Sequence, residues 1–194
     1  LRPEFSKLRS QALNQRKAGP VCKILIAMGG TDQPNATGWV LGVLAKMDLN
    51  PNLHLTIVMG PTAPHLGCVQ DQAASLPFHT TVLVGTNQMG ELMVQADFAI
   101  GAAGSTSWER CAMGLPAIMI ILAENQRNIA QALELAQAAI ALELGQDKVL
   151  RQALIKMFSL QSNRFKMGKI AAQICDALGT KRVLKVLQKV MCND

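Results

Sequence analysis

Short apolar runs alternate with longer segments of helical periodicity along this chain. The apolar runs predict strands over residues 22–28, 53–59, 80–84, 98–101, 117–122 and, more briefly, 140–142. The segments between them predict helices over residues 36–47, 64–76, 89–95, 104–113 and 125–138, and the pattern beyond residue 146 is helical to the end. Strands without polar alternation are typical of a parallel sheet with helices on both faces. The sequence therefore predicts an α/β fold with a doubly wound, mostly parallel sheet.

This pattern also divides the 194 residues into three parts. We expect residues 1–20 to form an interdomain connector, residues 21–180 to form the α/β domain, and residues 181–194 to form a C-terminal helix. The chain begins at Leu1 rather than at a methionine. We therefore expect it to be a piece of a longer protein.

Composition excludes several classes of protein. Apolar residues make up 49% of the chain, which is enough for a core and rules out intrinsic disorder. No apolar run approaches the roughly 18 residues that a membrane span needs, and no apolar block resembling a signal peptide follows the first residues. We expect no membrane partner for this chain.

The cysteines and histidines show neither disulfide nor metal-binding spacing. Five cysteines are widely separated, with no C-x-x-C pair, and His54, His65 and His79 lie near no cysteine pair. We expect no metal, no cofactor and reduced thiols, which suit a cytoplasmic protein. All three histidines precede the serine-rich segment, so no Ser-His-Asp order is present and no catalytic residue is assigned.

The net charge of +6 favours anionic partners, which include nucleic acid, acidic lipid and phosphorylated small molecules. Aromatic residues are only 4% of the chain, too few for the stacking platforms that bind single-stranded nucleic acid. We therefore expect no nucleic-acid partner. Many of the basic residues lie near the two ends of the chain, and solvated helix faces are the simplest interpretation of them.

The segment after the first predicted strand has the residues of an anion-binding turn. Gly29 and Gly30 close the strand, and Thr31 follows at the start of a helical pattern. Glycines at this place let backbone amides approach a phosphate, and the positive end of the next helix favours negative charge. The spacing matches neither a dinucleotide fingerprint nor a P-loop, and an ordinary tight turn is the alternative interpretation.

Two later strand ends carry similar signals. After the fourth strand, Gly104 leaves room for a ligand, Ser105 has a hydroxyl for phosphate or for helix capping, and the Glu109 carboxylate suits a pair of sugar hydroxyls. After the fifth strand, Asn125 and Gln126 suit hydroxyls or amides of a ligand, with helix capping by Asn125 as the alternative. Because ligands of open α/β sheets bind beyond the carboxyl ends of the strands, we expect the three segments to form one site.

As a set, these motifs resemble the C-terminal half of the UDP-2,4-diacetamido-2,4,6-trideoxy-β-L-altropyranose hydrolase family of pseudaminic acid biosynthesis. They are more distantly similar to the C-terminal domain of the peptidoglycan lipid-linked N-acetylglucosaminyltransferase. The segments that carry the resemblance are LRPEF at 1–5, IAMGGTD at 26–32, ADFAIGAAGSTSWER at 96–110, GLP at 114–116 and ENQ at 124–126.

The resemblance implies the Rossmann-like C-terminal half of a two-domain, glycosyltransferase-B-like enzyme that holds a UDP-sugar against an N-terminal domain of the same parent chain. It implies cleavage of the bond between the sugar and UDP by water, in surface polysaccharide biosynthesis. It also assigns roles by motif, to diphosphate, ribose and sugar in turn: Gly29, Gly30, Thr31, Gly104 and Ser105; Glu109; Asn125 and Gln126.

The family's proposed base is a histidine in the half that this sequence lacks, so we expect the domain alone to bind nucleotide weakly and to catalyse little. A glycosyltransferase with the same fold is an alternative that the sequence separates poorly from a hydrolase. A non-catalytic α/β module, which uses its basic ends to bind a partner or a membrane surface, is the other alternative.

Overall fold

Six strands pair in parallel into one sheet across residues 1–191, which are the residues that a computed structural model of the chain describes. They are β1 Lys23–Ala27, β2 His54–Met59, β3 His79–Val84, β4 Phe98–Ala102, β5 Ala117–Ile121 and β6 Ile140–Glu143. The strand order is β3-β2-β1-β4-β5-β6, so the direction of winding reverses between β1 and β4. This reversal is the topological switch point, where open α/β sheets bind their ligands. The predicted fold class is confirmed.

All five helices that the pattern predicts between the first and last strands are present, and four of them are shorter than predicted. A further helix, which the pattern does not predict, precedes the first strand. The helices are α1 Pro3–Gln15, α2 Ala36–Leu44, α3 Leu66–Ala74, α4 Met89–Gln95, α5 Thr106–Ala112, α6 Arg127–Leu135, α7 Asp147–Ser159, α8 Gln161–Ile174 and α9 Gly179–Met191. The helix predicted over 125–138 is divided, because a 3₁₀ turn over Glu124–Gln126 precedes α6. The helical pattern after residue 146 is three separate helices.

Both faces of the sheet are covered. Along β1, Ile24 and Ile26 pack into one core cluster with residues of α2, α3 and α7, whereas Leu25 packs into a second cluster with α1 and α4. All three side chains are at most 1% exposed. Burying an aliphatic side chain of this size stabilises the fold by about 1.5–3 kcal/mol. The uninterrupted apolar character of the predicted strands follows from this burial on two sides.

Residues 1–20 contain a packed helix, where we expect a connector. In α1, the guanidinium of Arg9 donates to carbonyl oxygens of Ala172 at 2.6 Å and Cys175 at 2.8 Å, and also to Ala112. Arg16 donates to carbonyl oxygens at the ends of α4 and α5. These arginines satisfy carbonyls that helices leave unpaired at their C-termini. The segment is therefore bound to the α/β domain, and its role as a connector stays a prediction.

The last described helix, α9, lies on the surface of the domain. The C-terminal helix predicted over 181–194 begins two residues earlier, at Gly179, and residues 192–194 of that prediction lie outside the described residues. The large apolar side chains of α9 are 51% to 62% exposed: Val183, Leu184, Val186, Leu187 and Val190. The helix thus presents an uncovered apolar surface. Within residues 1–191, no helix has the length and apolar character needed to cross a membrane.

Candidate functional site

The three segments with ligand-binding signals follow neighbouring strands. β4 lies between β1 and β5, and Gly101 of β4 pairs with Ala27 of β1 and with Met119 of β5. Because all three strands run in the same direction, the segments that follow them leave the same edge of the sheet. The eight residues with predicted binding roles therefore share one edge, as expected; the roles themselves stay predictions.

A cavity of about 250 Å³ opens at this edge, beside the switch point. Three of the predicted site residues line it: Gly29, Gly30 and Glu109. The remaining wall comes from the ends of β1 and β2, the loops after β2 and β3, and the starts of α1, α4 and α5. Its residues are Arg2, Ala27, Val58, Met59, Gly60, Gly85, Thr86, Met89 and Thr106. The cavity is thus a largely apolar cleft with a few convergent polar groups, which is typical of small-molecule sites.

Open space surrounds the backbone of the two glycines after β1 at the cavity wall. Gly29 has φ +99°, a conformation that side chains rarely adopt, and no heavy atom lies within 4 Å of a Cβ built on Gly29 or Gly30. A Cβ on Gly60, by contrast, would collide with the carbonyl oxygen of Gly30, so the loop after β2 packs directly against the loop after β1. The loop after β2 therefore supports this turn, and the space beside Gly29 and Gly30 is free.

The N-terminus of α2 already has a negative charge of its own. The carboxylate of Asp32 accepts hydrogen bonds from the backbone amides of Ala36 at 2.8 Å and Thr37 at 2.9 Å. Asp32 is 4% exposed, so this cap is buried. A phosphate at this turn would therefore meet the amides of Gly29 and Gly30 rather than those of the first turn of α2. Thr31, the third residue predicted for this junction, is exposed and does not line the cavity.

The second and third junctions meet at Gly104. A Cβ on this glycine would lie 3.8 Å from the side-chain Nε2 of Gln126. The Oε1 of Gln126 accepts a hydrogen bond from the backbone amide of Leu122 at 3.0 Å, which holds the loop after β5 in place. Ser105 occupies the N-cap position of α5 but makes no side-chain cap, and Asn125 is exposed in the 3₁₀ turn. The capping alternatives for Ser105 and Asn125 are therefore not observed.

A buried arginine, which the sequence reasoning missed, supports the loop after β4. Arg110 is 2% exposed, and its Nη2 donates to the carbonyl oxygen of Ala102 at 2.6 Å and to Oγ of Ser107 at 3.0 Å. Its Nε is buried without a hydrogen-bond partner. Burial lowers the pKa of Arg110 to about 10, which still leaves the guanidinium charged at neutral pH. The arrangement places a buried positive charge beneath the edge where the three junctions meet.

Glu109 is the one acidic side chain on the cavity wall. It is 17% exposed, and burial raises its pKa above the usual value of 4.5. Arg2, whose guanidinium lies 3.5 Å from Oε1 of Glu109, opposes that rise, whereas the negative charge of Glu4 adds to it. The sequence alone does not predict this cluster, because nothing local connects Arg2 and Glu4 with a residue more than a hundred positions away.

The described part of the chain contains no cluster of side chains that could bind a metal ion. Across residues 1–191, no group of three or more His, Cys, Asp or Glu side chains is arranged to hold a metal ion. The polar groups that do converge are backbone amides, one carboxylate, carboxamides and hydroxyls. These groups bind neutral hydroxyls and phosphate oxygens.

Comparisons with known proteins identify the family and the fold of this chain. Residues 24–183 match the family described as "Glycosyltransferase family 28 C-terminal domain". The spore coat polysaccharide biosynthesis protein SpsG of Bacillus subtilis (strain 168) is 30% identical over 171 residues, which are 85% of this chain and 49% of that protein. An uncharacterized protein of Methanocaldococcus jannaschii is 30% identical over 66% of this chain and 26% of its own length. The chain spans about half the length of SpsG, and less of the second relative.

Solved structures share the fold at low sequence identity. MurG of Acinetobacter baumannii has a TM-score of 0.77 and 21% identity, over 93% of this chain and 53% of that one. UDP-GlcNAc 2-epimerase of Neisseria meningitidis has a TM-score of 0.71 and 14% identity, over 96% and 52% of the two chains. These likenesses place the six-stranded sheet among glycosyltransferase-B-like C-terminal halves. By the match over residues 24–183, the chain belongs to the glycosyltransferase family 28 C-terminal domain family.

Proposed function

We propose that this chain holds the nucleoside diphosphate of a UDP-sugar for a glycosyltransferase of polysaccharide biosynthesis. The observation that carries the proposal is that Gly29, Gly30 and Glu109 line one cavity at the switch point of the sheet. Open backbone amides suit the diphosphate, and a carboxylate suits the two adjacent hydroxyls of a ribose. The glycine amides and the Glu109 carboxylate belong to the walls of a single cleft.

The remaining predicted residues extend this site along the sheet edge. Gly104 and Ser105 lie at the start of α5, where their backbone and hydroxyl groups would contact a phosphate. Asn125 and Gln126 follow the next strand, and their carboxamides would face the sugar. The exposed Thr31 would bind only a ligand that extends past Gly30. The sugar then lies toward β5 and the uridine toward Glu109.

Departure of UDP from the sugar needs stabilisation of negative charge on the diphosphate. Backbone amides of the loop at Gly29 and Gly30, which lines the cavity, would supply it. The buried charge of Arg110 lies beneath the same loop and adds a positive potential in a medium where water screens it little. In this proposal the backbone amides and Arg110 stabilise the negative charge of the departing UDP, and no metal ion is needed for that step.

The acceptor of the sugar and the catalytic base belong to the part of the protein outside this chain. Both SpsG and MurG are about twice as long as the segment that matches, so we propose a preceding domain of the same parent chain as the partner. The name of SpsG and the family assignment favour transfer to a polysaccharide acceptor. Hydrolysis, which the motif resemblance implies, has no support from these relatives. Reduced cysteines favour a cytoplasmic location.

Competition between two nucleotides tests the site. Neighbours of this fold have been solved with thymidine diphosphate as well as with a UDP-sugar. If Glu109 accepts from both ribose hydroxyls, UDP binds more tightly than dTDP, and the Glu109→Gln variant loses this preference. Equal affinity of the wild-type chain for UDP and dTDP would count against the assigned role of Glu109. For the reaction, the full-length parent is assayed for free sugar against sugar transferred to an acceptor.

A further inference from the structure

Three charged side chains form a cluster at the wall of the nucleotide cavity. The guanidinium of Arg2 lies 3.2 Å from Oε1 of Glu4 and 3.5 Å from Oε1 of Glu109. Arg2 is 49% exposed, whereas Glu4 is 26% and Glu109 is 17% exposed. One half-exposed guanidinium therefore lies between two carboxylates that are less exposed than it is.

The Glu4 carboxylate is not fully satisfied in this arrangement. Oε1 of Glu4 is buried and accepts no hydrogen bond among the described residues, although the guanidinium is close to it. The Glu4 side chain lies beside α4, since a Cβ built on Gly90 would lie 3.6 Å from the same oxygen. A guanidinium can form two parallel hydrogen bonds with one carboxylate. Here the Arg2 guanidinium is shared between two carboxylates. It could form a two-hydrogen-bond pair with either Glu4 or Glu109 by moving toward that residue.

We propose that Arg2 is a displaceable counterion of Glu109, which neutralises that carboxylate in the empty site and moves onto Glu4 when a ribose arrives. This inference rests on the proposed function, because it requires that ribose hydroxyls and Arg2 compete for the same oxygens of Glu109. Glu4 is then a positioning residue that acts through Arg2 and does not touch the ligand. When the ribose is bound, each carboxylate has a partner of its own, which is Arg2 for Glu4 and the ribose hydroxyls for Glu109.

The proposal predicts opposite effects for two neighbouring substitutions. Uridine is the probe, because it contains the ribose but no phosphate that would attract Arg2 directly. Arg2→Gln removes the competitor and tightens uridine binding about two- to fivefold, the range expected for an exposed ion pair. Glu4→Gln removes the second position for the guanidinium, which then stays on Glu109, and weakens uridine binding by a similar factor.

The double variant separates this exchange from a structural role. If Glu4 acts only through Arg2, the Arg2→Gln, Glu4→Gln chain binds uridine as tightly as Arg2→Gln alone, so the two effects are not additive. Lys7→Gln, an exposed change on the same helix, is the matched control and leaves the affinity unchanged. Weaker binding in Arg2→Gln, or an unchanged affinity in Glu4→Gln, would overturn the proposal.

A titration of the Glu109 carboxyl carbon by NMR gives a second readout that needs no ligand. Arg2→Gln raises the pKa of Glu109 and Glu4→Gln lowers it, because the first change removes the counterion and the second removes a like charge. The opposite signs, or no change, would overturn the exchange. Absence of uridine binding in the wild-type chain is a different result, because it would remove the proposed function and the exchange with it.

Discussion

Gly30 and Gly101 lack side chains for different physical reasons, although both lie near the switch point of the sheet. A Cβ on Gly101 would lie 2.5 Å from the carbonyl oxygen of Ala27 and 2.5 Å from Nη1 of Arg110, so β1, β4 and the buried guanidinium need this space. A Cβ on Gly30 meets nothing within 4 Å. We interpret the space at Gly101 as structural and the space at Gly30 as room for a ligand.

Alanine at each of these positions separates stability from binding. Gly101→Ala destabilises the fold by about 1–3 kcal/mol, the usual cost of overpacking, as measured by urea unfolding. Gly30→Ala keeps the stability of the wild type but weakens UDP binding about tenfold, equivalent to about 1.4 kcal/mol. Gly67→Ala, another position with open space around it, is the control for the binding measurement. Because Gly67 lies within α3, this change raises the free energy of unfolding by about 0.5–1 kcal/mol without a change in UDP affinity. A Gly30→Ala chain with unchanged UDP affinity would argue against a diphosphate at this turn.

Glu109 is predicted to contribute to binding at the expense of stability. Its pKa is raised in the folded chain, so its stabilising contribution is present below its ordinary pKa of 4.5 and is lost as the pH rises through the folded value. At neutral pH, Glu109→Gln is therefore at least as stable as the wild type in thermal unfolding. Lower stability of this variant at neutral pH would contradict the assignment.

Ligand binding has the opposite pH dependence. Ribose hydroxyls donate to the ionised carboxylate, so the wild-type chain loses uridine affinity as the pH falls toward and below the raised pKa of Glu109. Uridine itself stays neutral in this range. The Glu109→Gln chain binds uridine more weakly at neutral pH and with little pH dependence. NMR titration at a series of pH values measures both, and a parallel pH profile in the variant would contradict the role of Glu109.

At the scale of elements, the first and last helices differ sharply in how they are attached. α1 contributes Phe5 and Ala12 to the core and caps other helices through Arg9 and Arg16. α9 buries none of its described side chains through Val190. Both segments carry basic residues in the sequence. Only the long-range hydrogen bonds of Arg9 and Arg16 show that these two side chains are structural, whereas the basic residues of α9 are exposed to solvent.

Removal of the Arg9 side chain tests the attachment of α1. Arg9→Ala leaves carbonyl oxygens at the ends of α5 and α8 without their donor and lowers the free energy of unfolding by about 2–3 kcal/mol. Urea unfolding measures the change. Lys7→Ala, on an exposed position of the same helix, lowers it by less than about 0.5 kcal/mol. Equal effects of the two changes would show that the arginine contacts contribute nothing.

Deletion of residues 179–194 makes the complementary test. Because the described side chains of α9 through Val190 are exposed, the deletion changes the stability of the domain by less than about 1 kcal/mol, or about 2–4 °C in Tm. It also removes the exposed apolar surface, so the shortened chain self-associates less in analytical ultracentrifugation. A large fall in Tm would mean that α9 stabilises the domain.

At the scale of the whole molecule, the sequence predicts the sheet better than the interactions across it. The six strands follow from apolar runs because burial on both faces removes the polar alternation, and the common edge of the three junctions follows from parallel pairing. The cluster of Arg2, Glu4 and Glu109 has no local signal, since the fold alone brings α1 beside α5. The burial of Arg110 is equally non-local, because an arginine in a helix is ordinarily exposed.

The same limit applies to function. Glycines and hydroxyl residues at strand ends indicate an anion site on physical grounds, and the family match supports a nucleotide-sugar enzyme. In the proposed function, the acceptor site and the base that would separate transfer from hydrolysis belong to the preceding domain. The fold that the motif resemblance predicts is confirmed, whereas the comparisons favour its glycosyltransferase alternative over the hydrolase reaction that it implies.

The most direct test of the account is an amide NMR titration of the 194-residue chain with UDP. We predict the largest shifts at Gly29, Gly30, Gly104 and Glu109, on the carboxyl edge of the sheet. Gly19 and Asn163, which line cavities elsewhere on the domain, serve as internal controls and stay unchanged. No shift at the four amides at millimolar UDP, or larger shifts at the controls, would contradict a diphosphate site at the ends of β1 and β4.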